Sequence, residues 1–496
     1  MSKTIAIERW SKIKSKHFKE FEFIVECSNK GAHRITQKSE ATGKHFARHH
    51  AYTLITSDGR NENLPLTYDV CEIVLSALEK KGDTECFFIQ ESDRKSILMP
   101  QEIIHKSTHN EKSYTATGDK LGYHWPIFDK FKKTGFGSII RATLTNHQVC
   151  SSSCQFCSTI SRNKSDSVSL DEAKDFVDAL YFKQEEFNEV NFPEYNSAYK
   201  RMSGSGIRLK GLILSGGGQP NLWPHFVELV EYLATLDIDL GLITNGFPKK
   251  IPEDIYRSFQ WIRISVTPPE ASPFYIDGDF RKQYIPTTLG KNGQTVGLSY
   301  VYGPWTQGDE ILRMDEFANE KDYQYVRVLT DCNLGRQAQL HSHQNLSDHL
   351  RKKMLINSNG EPLSKTFHQL KYHGTPEEAD QVWADGQCKL QVYSAFWDTT
   401  GHENNGYSYI FPCDSVTVLA EEAGSLSERR FNHERWGTYK NTEVAKLFTE
   451  PVKQFFDPRK ECTSCLFINN NRAAANIIEN PTESTIKARP NHINFP

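Results

Sequence analysis

The chain has 496 residues and a formal net charge of -3, too long for one ordinary core and in keeping with two or three domains. Its 59 Lys and Arg against 62 Asp and Glu give no global basic excess, which argues against a protein that tracks nucleic-acid phosphates while leaving room for a local patch. Eleven cysteines are too few for a secreted disulfide scaffold, and most fall into two clusters, a usage that suits a reducing, cytoplasmic setting. The stretch Met1 to Glu20 has no apolar core of signal-peptide length, and nowhere do about 18 apolar residues run together, so no membrane association is expected.

In chain order, residues 1–135 hold strand-like runs at Phe21 to Cys27 and Glu85 to Gln90 and a helical pattern near Val70 to Leu78. They predict a small α+β domain of unassigned role. His45, His49 and His50 read as a solvated surface rather than a metal site, and Cys27, Cys71 and Cys86 have no partner at ligand spacing and read as packing residues. From Arg141 to about Leu334 short apolar runs alternate with helical patterns, the mark of βα units on a parallel sheet. Six strands are predicted, at Ile140 to Thr145, Gly211 to Ser215, Ile238 to Thr244, Trp261 to Val266, Val296 to Tyr302 and Tyr325 to Thr330. Ser169 to Glu172 reads as a capping box before a stripe of Ala173, Phe176, Val177 and Leu180. Phe226, Leu229, Val230 and Leu233 form a second such stripe, and Gln184 to Arg208 departs from the βα pattern. The expected division is 1–135, an α/β region 136–345, a connector and cysteine-bearing region 346–480, and a polar, turn-rich tail 481–496 lying on the surface.

Cys150, Cys154 and Cys157 form a CxxxCxxC array just after the first predicted strand. Three thiolates on one loop can hold three irons of a [4Fe-4S] cube and leave the fourth iron open for chemistry. Zinc would need a fourth ligand, usually from a second nearby pair, and none lies close in sequence. Gly216, Gly217 and Gly218, after the second strand, let the backbone approach a ligand where a side chain would collide. Near the C-terminus, Cys388, Cys413, Cys462 and Cys465 supply four more thiolates, enough to close a second cluster or to bind zinc.

The array, with Phe156 immediately before its third cysteine, resembles the radical S-adenosylmethionine (SAM) superfamily. That resemblance implies a partial (β/α)6 TIM-like barrel with its active site at the carboxyl ends of the strands. It implies a SAM-binding [4Fe-4S] cluster, SAM itself, and a low-potential electron donor of the flavodoxin or ferredoxin type. SGGGQP is similar to the superfamily's GGE motif, so Gly216, Gly217, Gly218 and Gln219 become SAM contacts. Gln219 replaces the usual glutamate and lacks the charge assistance of a carboxylate. Thr244, Asn245, Arg263 and Ser265 become ribose and carboxylate contacts by the same resemblance, and Cys332, just past the sixth strand, a hydrogen-atom donor whose plainer alternative is a buried free cysteine. The tail cysteines, with a GYSYIFPC segment, resemble the SPASM and twitch subgroup, though four thiols in place of seven imply a single auxiliary [4Fe-4S] cluster. Such relatives abstract hydrogen most often from peptides or proteins. Modification of a small molecule or RNA, or a non-catalytic iron-sulfur or zinc protein, are the alternatives.

Overall fold

The computed structural model describes residues 114–496, except 153, 155, 158, 160–162, 247–250, 267–293, 333, 335, 371–381, 384, 414–438, 462–464 and 487–490, together with six strands before residue 114. The chain divides into two compact units, Met1–Ile104 and His105–Pro496. In the first, strands β1 (Ser11–Lys12), β2 (Glu22–Cys27), β3 (His33–Lys38) and β4 (His45–Ala47) form an antiparallel sheet in chain order, and β5 (Thr53–Leu54) pairs with β6 (Leu64–Pro65). The predicted run at Phe21 to Cys27 coincides with β2. Those at Val70 to Leu78 and Glu85 to Gln90 lie outside the described residues.

The second unit is α/β, built on a ten-stranded, mostly parallel sheet. The six predicted strands are all present as β7 (Arg141–Leu144), β8 (Gly211–Leu214), β9 (Asp239–Thr244), β10 (Trp261–Val266), β11 (Thr295–Tyr302) and β12 (Tyr325–Thr330), neighbours in chain order and parallel throughout. Unexpected strands extend the sheet at both edges. β13 (Thr366–Gln369) continues the parallel array beside β12, while β14 (Ser394–Asp398) runs parallel to β7 and carries the antiparallel β15 (Tyr409–Phe411) and β16 (Tyr439–Lys440). Strands from the expected connector and cysteine-bearing region therefore belong to the same sheet as the βα units. Buried on both faces, β14 reads as a continuous apolar-rich run rather than an alternating one.

Local sequence explains the crossovers. Ser169 Oγ accepts from the Glu172 N–H at 3.2 Å and the Glu172 carboxylate accepts from the Ser169 N–H at 2.9 Å, a closed capping box that starts helix Leu170–Asp178. Ala173, Phe176 and Val177 of that helix, Leu180 beyond it, and Phe226, Leu229, Val230 and Leu233 of helix Phe226–Ala234 are all buried. The Gln184 to Arg208 departure is two further helices, Gln184–Asn191 and Pro193–Ser203, the second closed by Gly204 in the left-handed conformation.

Pleating sorts the strand residues onto two faces. Ala142, Leu144, Leu212, Leu214, Ile262 and Ile264 join the helices in the main apolar core. The alternate positions point the other way. In register, Thr143, Ile213, Gly241, Trp261 and Thr295 form one rung, and Ile243, Arg263, Gly297 and Tyr325 the next. A Cβ on Gly241 would lie 2.3 Å from the Trp261 ring and one on Gly297 2.3 Å from the Tyr325 ring. These two glycines make room for the large rings of the polar face.

The C-terminal segment corrects one expectation. Residues 481–496 do not simply lie on the surface: Phe495 is 4% exposed and packs edge-on against Trp261. Asn494 donates to Asp239 at 2.7 Å, and the Pro496 carbonyl accepts from Arg141 at 2.6 Å. Turn formers dominate the composition of this stretch, but one aromatic side chain and the backbone carbonyls find partners at the amino ends of β7, β9 and β10.

Two histidines, His124 buried and His492 partly exposed, follow from this closure. His124 Nδ1 lies 2.7 Å from Tyr199 Oη and Nε2 3.0 Å from the Ile493 carbonyl. Burial pushes its pKa down to about 4, with the Ile493 carbonyl opposing and Lys210 adding. His492 falls to about 4 through burial and then through Lys120 and Arg263. Below its ordinary value near 6.5 each imidazole takes up a proton in the unfolded chain that the folded chain refuses, so stability falls with pH. Urea unfolding should show a loss of about 1 to 2 kcal/mol per histidine between about pH 6.5 and pH 5. Replacing both with glutamine should flatten that slope; an unaltered slope would place the acid sensitivity elsewhere.

Candidate functional site

The three array cysteines lie on the loop that leaves the carboxyl end of β7, and all three are partly exposed. The loop is tied to the segments at the ends of three other strands, β8, β9 and β14. The Gln219 N–H donates to the Val149 carbonyl at 2.6 Å, and His147 Nε2 lies 2.7 Å from the Gln219 carbonyl. Asn245 Nδ2 donates to Ser151 Oγ at 3.0 Å and Ser152 Oγ at 3.1 Å, fixing the loop to the end of β9. Gln148 Nε2 donates to Asp398 Oδ1 at 2.9 Å, at the end of β14. Within the loop, Cys157 Sγ is 3.2 Å from Thr159 Oγ1, which donates to the Gly217 carbonyl at 3.1 Å, and the Phe156 ring packs 5.1 Å from that of Trp305.

The glycine triplet belongs to the same contact. Gly216 has φ +128°, and a Cβ there would meet Thr145; one on Gly217 would meet the Gln148 side chain, and one on Gly218 the carbonyls of His147 and Val149. The close approach that requires glycine is therefore made by the segment leading into the cysteine array. Gln219 is 3% exposed. Its Oε1 accepts from the Asn245 N–H at 2.8 Å, and its Nε2 donates to Asn221 Oδ1 and Thr244 Oγ1. A glutamate could not make the two donations, which gives the departure from the family motif a local reason.

Thr244 and Asn245 end β9, Ser265 lies near the end of β10, and Cys332, partly exposed, follows the end of β12, all at the edge where the array sits. Arg263 is set deeper. Its Nε donates to Tyr325 Oη at 3.2 Å and one terminal nitrogen to the Tyr114 carbonyl at 2.8 Å.

Of the tail cysteines, Cys388, Cys413 and Cys465 come from three segments and lie near enough for Cys388 and Cys413 to act electrostatically on Cys465, while Cys462 lies outside the described residues. Burial pushes the Cys388 thiol up to about 11. Cys465 is held well above its ordinary value by burial and then by the neighbouring Cys413 and Cys388. Cys465 Sγ accepts from the Phe467 N–H at 3.3 Å just before helix Ile468–Glu479. The buried sulfurs of Cys388 and Cys465, each with backbone donors aimed at it, suit thiolate ligands of a cluster or zinc, which would have to displace their protons. Among the described residues no three His, Cys, Asp or Glu side chains converge into a metal-holding group, so the donor sets are defined by chemistry and position rather than by closed coordination.

Sequence reasoning missed the interior of the sheet. Arg141, Arg263 and Arg327 line a cavity of about 600 Å³ on the polar face, with Lys120, Tyr325 and His492. The signal was present: each arginine interrupts an apolar strand run, in IIRATL, WIRISV and YVRVLT.

No family model matches the sequence, and no curated protein does. Among solved structures, the chain is similar to Streptococcus suis SuiB bound to S-adenosylmethionine, at 10% identity and a TM-score of 0.39 over 84% of this chain and 85% of that one. SuiB bound to precursor peptide SuiA gives 12% identity and a TM-score of 0.40 over the same shares. Native anSMEcpe with bound AdoMet and Cp18Cys peptide gives 16% and 0.34 over 67% and 87%. 

The amide network is open to a direct check. Gln219→Glu removes two donations in a buried setting and should lower unfolding stability at neutral pH by about 1 to 3 kcal/mol. The loss should shrink as pH falls and the introduced carboxyl regains a proton to donate. Unchanged stability at neutral pH would show that the network does not hold the strand ends together.

Proposed function

We propose that the protein is a radical SAM enzyme that abstracts hydrogen from its substrate, with Cys150, Cys154 and Cys157 as ligands of the catalytic [4Fe-4S] cluster. The observation that carries this reading is the three-thiol loop at the carboxyl edge of a parallel sheet, packed on a glycine triplet that no larger residue could replace. When bound, the cluster supplies the electron, drawn from a flavodoxin- or ferredoxin-type donor, that splits SAM into methionine and a 5'-deoxyadenosyl radical. Gly216, Gly217, Gly218, Thr244, Asn245 and Ser265 would flank the SAM, and Phe156 would shield the cluster beside Trp305.

Three of the family contacts take modified roles in this reading. Gln219 and Asn245 spend side-chain hydrogen bonds on holding the loop, so they serve as positioning residues. Arg263 faces the interior cavity, one rung below Ser265. Cys388, Cys413, Cys462 and Cys465 would hold one auxiliary [4Fe-4S] cluster, of the SPASM or twitch kind, and the whole reading requires a reducing, cytoplasmic setting in which the thiols stay available. Among the described residues no helix is long and apolar enough to cross a membrane. The substrate class implied by the resemblance is a peptide or protein; the polar cavity of about 600 Å³ favours a small molecule as the second reading. The chain then comprises an N-terminal unit of unassigned role, the sheet that carries the reaction, and the cysteine-bearing extension.

Anaerobic reconstitution tests the assignment. The wild-type chain should carry about eight irons and make 5'-deoxyadenosine from SAM under dithionite, and changing Cys150, Cys154 and Cys157 together to alanine should remove about half the iron and all of that product. Cleavage at the wild-type rate in the triple variant would end the reading.

Cys332 has its own check. As a hydrogen-atom donor at the strand end, its replacement by alanine should leave 5'-deoxyadenosine formation intact while diverting the substrate radical to other products. In deuterated water the wild-type product should carry solvent deuterium through the exchangeable thiol. An unchanged product from Cys332→Ala would make it a packing residue.

A further inference from the structure

The interior cavity is cationic. Lys120 is 1% exposed and Arg141 and Arg327 are each 8% exposed. With Arg263 they bring four basic side chains to one lining, in which the described residues include one carboxylate, that of Asp119. The cations crowd one another: burial, then Arg141 and Arg263, push the Lys120 pKa down to about 7. Guanidinium groups held at a cavity wall suit a ligand of opposite sign that accepts from their N–H groups.

We propose that this cavity binds the oxyanion group, carboxylate or phosphate, of a small organic molecule. Guanidinium forks match the planar geometry of a carboxylate and the oxygens of a phosphate. One terminal nitrogen of Arg141 is held by the Pro496 carbonyl, and its Nε is buried without a partner. Arg263 is fixed from both sides, by Tyr325 Oη and the Tyr114 carbonyl, with its guanidinium 5.3 Å from the centre of the Trp261 ring. A pre-set cation of this kind loses little freedom on binding. Asn469, Asn470 and Asn476, from helix Ile468–Glu479, add amides to the lining. A volume of about 600 Å³ lies in the range of small-molecule sites. The same cavity reaches Thr143 and Ser215, next to the loops that carry the cysteine array and the glycine triplet. The inference concerns binding alone and does not depend on the radical reading.

Calorimetric titration of the full chain with inorganic phosphate and, separately, with succinate tests it, at constant ionic strength set with chloride. Saturable binding of either anion is expected, with the neutral diamide of succinic acid inert, and the arm that saturates identifies the oxyanion. Arg263→Gln should weaken binding by about tenfold or more, and Arg263→Lys by less, because a point charge replaces the fork. Arg327→Gln provides a second variant on a different strand, so a folding failure at one site does not stop the test; each is checked first by circular dichroism. Saturation by neither anion, or equal affinity in folded Arg263→Gln and Arg327→Gln, overturns the proposal.

Discussion

The pleat of the parallel sheet is the constraint on which the rest of this structure depends. Each strand from β7 to β12 must satisfy an apolar helical layer on one face and an enclosed polar interior on the other, so a shift of one residue in register would exchange the two. Arg263 shows what is at stake. One position along, Ile262 and Ile264 are buried against the helices, where an arginine would be an unpaired charge in an apolar layer. Trp261 and Tyr325 occupy the polar face only because Gly241 and Gly297 on neighbouring strands leave room for their rings.

The carboxyl edge of the sheet solves a different problem, that of holding a cysteine loop still before anything binds to it. Loops move unless their backbone groups are tied to rigid elements. Here Gln148, Asn245 and Gln219 bond the loop or its supports to β14, β9 and β8, and the glycine triplet lets two loops touch. Such preorganisation is what a site needs when ligands must converge within a fraction of an ångström.

The closing segment at the opposite edge connects stability to the interior. Ile468–Glu479 and the residues around His492 and Phe495 line the cavity, so the same contacts that seal the sheet also set the polarity of its inside. His124 and His492 remain neutral there because burial and nearby cations disfavour a further charge.

Much was legible in the sequence because it is written locally. The six strands, the capping box at Ser169 and the buried stripes of two helices follow from periodicity and short-range hydrogen bonding, and the cysteine array stands in eight consecutive positions. What only the tertiary structure decided depends on partners far apart in the chain. β13 and β14 are short runs whose place in the sheet is fixed by pairing with β12 and β7, and the polar tail is partly buried because Arg141, Asp239 and Trp261 await it across some 230 to 355 positions. Arg141, Arg263 and Arg327 were visible as interruptions in apolar runs, but their convergence on one cavity could not be read from any single strand. Periodicity tells which face a residue takes, while the company it keeps there is set by register between strands.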